Sequence, residues 1–376
     1  MAKKKIVFIF GTRPEAIKLA PVIKIFEKDE RFRVVVCITS QHSEMLRQVM
    51  DIFSLKYDYD LNIMRLSQDL FYITSKVLQK VKPILLREKP DIVFVQGDTT
   101  TAFAAALAAF YLKIPIAHVE AGLRSYDFGN PFPEEMNRRA IDHIATIHFP
   151  PTTTAKQALL RENIPSQNIK VTGNTIVDAF NMILKKKLGF SDAQLQKILS
   201  ANMSKKIILV TAHRRENFGP PMKNICVAVK RLAEIYRNKI VFIWPVHPNP
   251  NVKNVVQETL RGIENIYLLR PLNYFDFINV MKASYLILTD SGGVQEEAPS
   301  LKKPLLVLRK VTERPEGISC GIAKLVSTDI KKIISAVEIL IEDEKIYNKM
   351  RSTKNPYGDG KASLRIYKYI KRFFGD

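Results

Sequence analysis

At 376 residues the chain exceeds one ordinary domain of roughly 150 residues and points to two. Hydrophobic residues at 46%, charged residues at 25%, and only 15 glycines and 20 prolines exclude a disordered, low-complexity or fibrous chain. Lysine and arginine outnumber aspartate and glutamate by 58 to 37, a net charge of +21, which favours anionic partners: nucleic acid, an acidic membrane surface or a phosphate-bearing metabolite.

The first element, MAKKKIVFIFG, sets lysines before an apolar run as a signal peptide does, but Ile6 to Phe10 is far shorter than a secretory h-region and reads as a strand. Short β-branched runs follow in RVVVCIT, PDIVFVQ, IPIAHV and ATIHFP, most of them trailed by a helical segment, the rhythm of a parallel sheet with crossover helices. Between two of them, Met64 to Arg87 carries Leu66, Leu70, Ile73, Val77, Val81 and Leu85 at the spacing of one helix face. Ala102 to Leu112, the longest apolar stretch, is well below the roughly 18 residues of a membrane span and reads as a buried helix. The rhythm restarts in KKIILVTAH, KIVFIWPVH, NIYLLRPL, YLILTD and KPLLVLR, with a boundary expected near Thr172 to Asn174 and no fixed-period repeat. The tail from Ala362 to Phe374 places Leu364, Ile366, Ile370 and Phe374 among lysines, a terminal helix with a solvated basic face. Cys37, Cys226 and Cys320 are far apart and odd in number, which argues against disulfides or structural zinc and fits a reducing cytoplasm.

In open parallel α/β sheets ligands collect beyond the carboxyl ends of the strands, so the residues just after each run carry the functional reading. GTRPEAIK offers Gly11 for close approach, Arg13 for an anion, Pro14 at a first helical position and Lys18 one turn on. Neither G-x-G-x-x-G nor a Walker A sequence is present, which weakens nicotinamide and P-loop readings. Asp98 in VQGDTTT, Glu120 in HVEAGLR, and Glu134 with Glu135 in PFPEEMNRR are the strand-end carboxylates that proton abstraction and return require. For Asp98 and Glu135 a helix cap or a salt bridge is the competing reading. His213, Arg214 and Arg215 in VTAHRREN, and Ser291, Gly292 and Gly293 in LTDSGGVQEEAPS, suit a diphosphate, with Glu297 a turn further for a ribose diol. His143 and His148 are expected to pack or cap locally.

These segments, with VTGNTIVD, PVHPNPNV, TERPEG and NPYGDG in the same order along nearly the whole chain, resemble the non-hydrolysing UDP-N-acetylglucosamine 2-epimerases. The resemblance implies an α/β fold of two Rossmann-like doubly wound domains in a GT-B arrangement with a cleft between them. The domains would be 1–172, with a C-terminal helix at about 360–376 packing back on it, and 173–359, which binds UDP. It implies interconversion of UDP-N-acetylglucosamine and UDP-N-acetylmannosamine by elimination of UDP to a 2-acetamidoglucal and re-addition, in support of cell-envelope polysaccharides, with no cofactor or metal. A homodimer is implied, with neither nucleic acid nor membrane as partner. By motif matching, Asp98, Glu120, Glu134 and His213 would be catalytic. Arg13, Lys18, Asp98, Glu120, His213, Phe277, Ser291, Gly292, Gly293, Glu297 and Arg314 would bind substrate, Phe277 at the uracil unless it is an ordinary core phenylalanine.

Some bacterial members bind a second UDP-N-acetylglucosamine that activates them. Gln41, Glu135, Arg214 or Arg215, and His247 resemble that site, but Glu44 stands in place of a glutamine and Ser67 in place of an arginine. A lost cation and an acid in place of an amide both weaken diphosphate-sugar binding, which argues against activation by substrate, and a hyperbolic rate curve would support that argument. Three alternatives keep the same architecture: the hydrolysing relative, a relative acting on a UDP-linked diacetamido uronic acid, and a GT-B glycosyltransferase, which lacks need of the carboxylate set. A basic nucleic-acid-binding protein would account for the charge but lacks a docking module.

Overall fold

The computed structural model describes residues 3–40, 43–65, 68–129, 131–186 and 190–375, without the side chains of 43–45. Two compact units divide the chain: Met1–Lys186 together with Tyr357–Asp376, and Lys187–Pro356. The first unit carries strands β1 (Lys4–Phe10), β2 (Phe32–Ile38), β3 (Tyr59–Asp60), β4 (Ile92–Gln96), β5 (Ile116–Val119) and β6 (Ile147–Phe149). The second carries β7 (Lys206–Thr211), β8 (Ile240–Pro245), β9 (Ile266–Leu269), β10 (Leu286–Thr289), β11 (Leu305–Val307) and β12 (Ala323–Leu325).

Both sheets are parallel, ordered β3-β2-β1-β4-β5-β6 and β12-β11-β10-β7-β8-β9. Counted from each unit's own first strand, both follow the Rossmann order 3-2-1-4-5-6, so each reverses direction between its first and fourth strands. The expected doubly wound α/β class is therefore present twice. Helices cover both faces of the central strands, which is why these strands read as unbroken apolar runs: Ile6, Val7, Phe8, Ile9 and Phe10 are all fully buried, as are Ile240 to Trp244. The edge strands β3 and β12, of two and three residues, have no comparable run, and sequence patterning missed both.

The helix expected from Met64 begins later, at Leu70, and runs to Glu88; Asp69 caps it by accepting a hydrogen bond from the Tyr72 N–H at 2.7 Å. Leu66 and Ser67 lie outside the described residues. The Ala-rich stretch is the buried helix Thr100–Tyr111. Among the described residues, no helix is long and apolar enough to cross a membrane.

The first unit runs past the expected Thr172–Asn174 boundary because helix Thr175–Leu184 packs on helix Arg13–Phe26. That same helix holds the chain's last one. Asp178 accepts hydrogen bonds from the Ala362 and Ser363 N–H groups and the Ser363 hydroxyl, at 3.1, 2.9 and 2.5 Å, and so caps helix Ala362–Phe373 from a distant point in the sequence. Tyr367 completes the docking: its hydroxyl donates to Asp29 at 2.6 Å and its ring packs edge-on against Phe26.

Candidate functional site

In the first unit the reversal of strand order lies between β1 and β4, and the turns after these strands meet there. Helix Arg13–Phe26 starts directly after β1 with a capping box, Thr12 against Glu15. The buried Glu15 carboxylate accepts from the Gly11 and Thr12 N–H groups at 3.1 and 2.7 Å and from the Thr99 hydroxyl at 2.8 Å, tying the β1 turn to the β4 turn. Burial raises its pKa, against the hydrogen bonds it accepts. Sequence reading passed over Glu15, although the T-x-x-E spacing was there to be read. Gly11 has no room for a Cβ, which would meet the Thr39 hydroxyl oxygen at 2.1 Å.

Lys18, one turn into the helix, is buried, and its Nζ lies 2.5 Å from Glu120 Oε1. Glu120 follows β5 with φ of 67°, a left-handed backbone that a non-glycine residue adopts only when its surroundings impose it. Gln96 Nε2 donates to Glu120 Oε2, and Asn174 Nδ2 donates to Oε1 at 3.2 Å. Glu120 is thus a buried carboxylate ringed by donors from helix Arg13–Phe26, β4 and the Thr172–Asn174 segment. Gln96 and Asn174 stood inside quoted motifs but were not singled out, because neither amide carries charge. Arg13 is exposed at the same helix start.

Helix Glu134–Ile144 organises the other carboxylates. Glu134 begins it, half-buried, and its carbonyl accepts from Arg138 Nε at 3.2 Å. Arg138 Nη2 lies 3.0 Å from Asp98 Oδ2, and Asn137 Nδ2 donates to the Asp98 carbonyl at 2.9 Å. Asp98 is therefore salt-bridged yet retains a side-chain exposure of 29%. Glu135, expected at a second ligand site, has a fully buried side chain that accepts from the Ser125 and Tyr126 N–H groups at 2.8 and 3.2 Å and lies 3.6 Å from Arg138 Nε. Gln41 and Ser67 lie outside the described residues, as does the Glu44 side chain.

In the second unit the reversal lies between β7 and β10. Asp290, fully buried after β10, accepts from the His213 and Arg214 N–H groups and from Asn217 Nδ2, each at 2.9 Å. It fixes the turn after β7, and sequence reading missed it. His213 is part-exposed with its Nδ1 3.6 Å from Asp290 Oδ1, and its ring stacks on that of exposed His247 at 5.5 Å between centroids. Arg214 is half-buried and Arg215 exposed. Ser291 is the N-cap residue of the one-turn helix Gly292–Glu297, with Gly292 buried and Gly293 exposed. A Cβ on Gly292 would meet Arg314 Cζ at 2.9 Å, so the missing side chain admits the guanidinium. Arg314 Nε donates to Glu296 Oε1 at 3.0 Å, and Nη1 lies 3.4 Å from Glu313 Oε2. Burial would raise the Glu313 carboxyl, but Arg309 and Arg314 overcome it and hold the pKa at about 2. The Tyr274 hydroxyl donates to buried Glu297 at 2.9 Å, and Phe277 is half-buried on helix Tyr274–Ala283. Among the described residues, no group of three or more His, Cys, Asp or Glu side chains is placed to hold a metal ion.

The family model for UDP-N-acetylglucosamine 2-epimerase matches residues 24–371. The UDP-N-acetylglucosamine 2-epimerase of Salmonella typhimurium is 48% identical over 372 residues, spanning 98% of this chain and 99% of the relative. That of Campylobacter jejuni is 50% identical, spanning 96% of each. The crystal structure of the Neisseria meningitidis UDP-GlcNAc 2-epimerase bound to UDP-GlcNAc matches with a TM-score of 0.90 at 46% identity, covering 98% of this chain and all of that one. The Methanocaldococcus jannaschii enzyme in complex with UDP-GlcNAc and UDP matches with a TM-score of 0.82 at 38% identity, covering 98% and 99%.

Proposed function

The chain belongs to the UDP-N-acetylglucosamine 2-epimerase family, and from that premise we propose how its residues share the work of inverting C2 of UDP-N-acetylglucosamine. The enzyme is an isomerase. The chemistry is an elimination: a carboxylate takes the C2 proton, the electron pair forms the C1–C2 double bond of a 2-acetamidoglucal, and the C1–O bond breaks to release UDP. Re-addition of UDP at C1 and return of a proton to the opposite face of C2 give UDP-N-acetylmannosamine. Asp98 and Glu120 exchange the proton with C2, and Glu134 serves the sugar beside them. Arg13, Lys18, His213, Arg314 and the N–H groups of Ser291, Gly292 and Gly293 hold the diphosphate, whose charge grows as it leaves. Glu297 takes the ribose diol and Phe277 the uracil.

The observation that carries this reading is the buried Glu120 carboxylate at 2.5 Å from Lys18, held at positive φ beyond the carboxyl end of β5. Such an arrangement is costly for structure alone and suits a group kept ready for proton transfer. Glu44 and Ser67, in place of a glutamine and an arginine, support a hyperbolic dependence of rate on substrate. The family resemblance also supports a homodimer in the cytoplasm.

The test is proton NMR of the protein with UDP-N-acetylglucosamine in D2O, without added cofactor. Appearance of UDP-N-acetylmannosamine with deuterium at C2 is the expected result. Stoichiometric free N-acetylmannosamine and UDP would instead establish the hydrolysing reaction, and UDP release that depends on an acceptor would establish a transferase. Asp98→Asn and Glu120→Gln are expected to lower kcat by about 10²- to 10⁴-fold while UDP still binds; full turnover in either variant removes that residue from the mechanism.

A further inference from the structure

One buried pair in the first unit has no part in the chemistry above, yet touches both turns that carry it. His118 sits within β5 with its side chain fully buried, Nδ1 2.6 Å from Asp142 Oδ1 and Nε2 2.8 Å from the Gly97 carbonyl oxygen. Asp142 comes from helix Glu134–Ile144 and is fully buried too. Its Oδ2 receives Arg124 Nη2 at 2.8 Å and the Gly122 N–H at 3.1 Å. Burial would raise the Asp142 carboxyl, but His118 and Arg124 more than offset it and hold the pKa at about 2, so it is ionised. The remaining charged neighbours are Glu162, 2.7 Å from Arg124 Nη2, and His148 on β6, whose Nε2 lies 2.7 Å from the Asp142 carbonyl and whose pKa burial pushes down.

A carboxylate and a carbonyl oxygen only accept hydrogen bonds. Both nitrogens of His118 therefore face acceptors, and only the imidazolium, with a proton on each, satisfies both. The two acceptors mark the places that matter. Gly97, at φ of 70°, directly precedes Asp98, and its absent Cβ leaves Glu120 Oε2 3.6 Å from where that atom would stand. Gly122 lies in the turn that begins with Glu120. The helix that supplies Asp142 also begins with Glu134 and supplies Arg138 and Asn137 to Asp98.

We propose that His118 is a positioning residue: as a buried imidazolium clamped between Asp142 and the Gly97 carbonyl, it fixes the Asp98 turn against the Glu120 turn. The proposal rests on the reading of Asp98 and Glu120 as the proton-transfer groups. Misplacement of such groups by about 1 Å costs on the order of 10²-fold in rate, whereas the nucleotide contacts assigned to the second unit do not depend on this pair.

Two measurements on the full chain test it. With ¹⁵N-histidine labelling, wild-type His118 is expected to show two exchange-protected ring N–H signals; a single ring N–H overturns the imidazolium clamp. This count needs neither turnover nor a folded variant, so it stands apart from the epimerase reading, which fails only if the wild type does not epimerise its substrate. The second measurement uses His118→Asn, which keeps an N–H toward Asp142, and His118→Gln, which keeps one toward Gly97. His118→Asn should lower kcat and C2 deuterium incorporation together by about 10²-fold, with KM and UDP affinity unchanged, and His118→Gln should recover part of that loss. A rise in KM at unchanged kcat, or equal losses that track the folded fraction of each variant, would refute a positioning role.

Discussion

At the scale of single residues, the first unit buries several charged groups in contact with one another. Lys18 with Glu120, and His118 with Asp142 and Arg124, all lie inside the fold. Buried ion pairs are weak sources of stability but fix geometry when every partner is satisfied. Asp142 makes the consequence measurable. Its folded pKa of about 2 lies below its ordinary value of 3.8, so its contribution is complete above pH of about 4 and lost as pH falls toward 2. That contribution is about 2 kcal/mol, read as the difference between wild type and Asp142→Asn in the loss of urea-unfolding free energy across this window. Asp142→Asn should be less stable by about 3 kcal/mol at neutral pH and should show an acid-dependent loss smaller than that of the wild type, since Glu313 and Asp359 still titrate in the same window. An unchanged acid slope in the variant would place the titrating group elsewhere.

At the scale of elements, the strands were the most legible part of the chain. Runs such as KKIVFIF and KIVFIWP are apolar along both faces because helices cover both, and they match β1 and β8. Apolar spacing continues upstream of Asp69 and predicts an earlier start for helix Leu70–Glu88, which the Asp69 carboxylate instead sets by capping the Tyr72 N–H. Helix Ala362–Phe373 shows what periodicity omits. Of the four apolar positions its spacing marks, Ile366 and Ile370 are buried, Phe374 is half-buried and Leu364 is exposed, and its N-terminal donors are satisfied by Asp178, 184 and 185 residues away in the chain. Asp178→Ala removes that cap and should destabilise the first unit by about 2 kcal/mol, measured by thermal or urea unfolding. A loss near zero would mean that Tyr367 and the apolar face dock the helix unaided.

At the scale of the whole molecule, the charge of +21 acts on a substrate that carries a diphosphate. Long-range attraction of this kind raises encounter rates and is screened over about 10 Å at 0.1 M salt. Raising ionic strength should therefore lower kcat/KM for UDP-N-acetylglucosamine while leaving kcat unchanged. Steady-state kinetics across a salt series reads this directly, and a salt-independent kcat/KM would assign the basic surface no part in substrate capture.

The chain's own residue order determined the fold class, ten of the twelve strands among the described residues and the two-unit organisation, and it put forward the candidate site residues, because apolar runs, turn residues and strand-end motifs are local signals. Tertiary structure alone decided which of those residues meet. Strand order set the β1 turn beside the β4 turn and the β7 turn beside the β10 turn. Only then could Lys18 reach Glu120, Glu15 reach Thr99, and Asp290 cap the His213 turn. It also separated Glu135, buried beneath backbone donors, from Glu134 next to it, and extended the first unit to Lys186. The physical reason is common to all of these. A side chain's role follows from burial and partner geometry, which depend on contacts between residues far apart in the chain, and no local pattern encodes them.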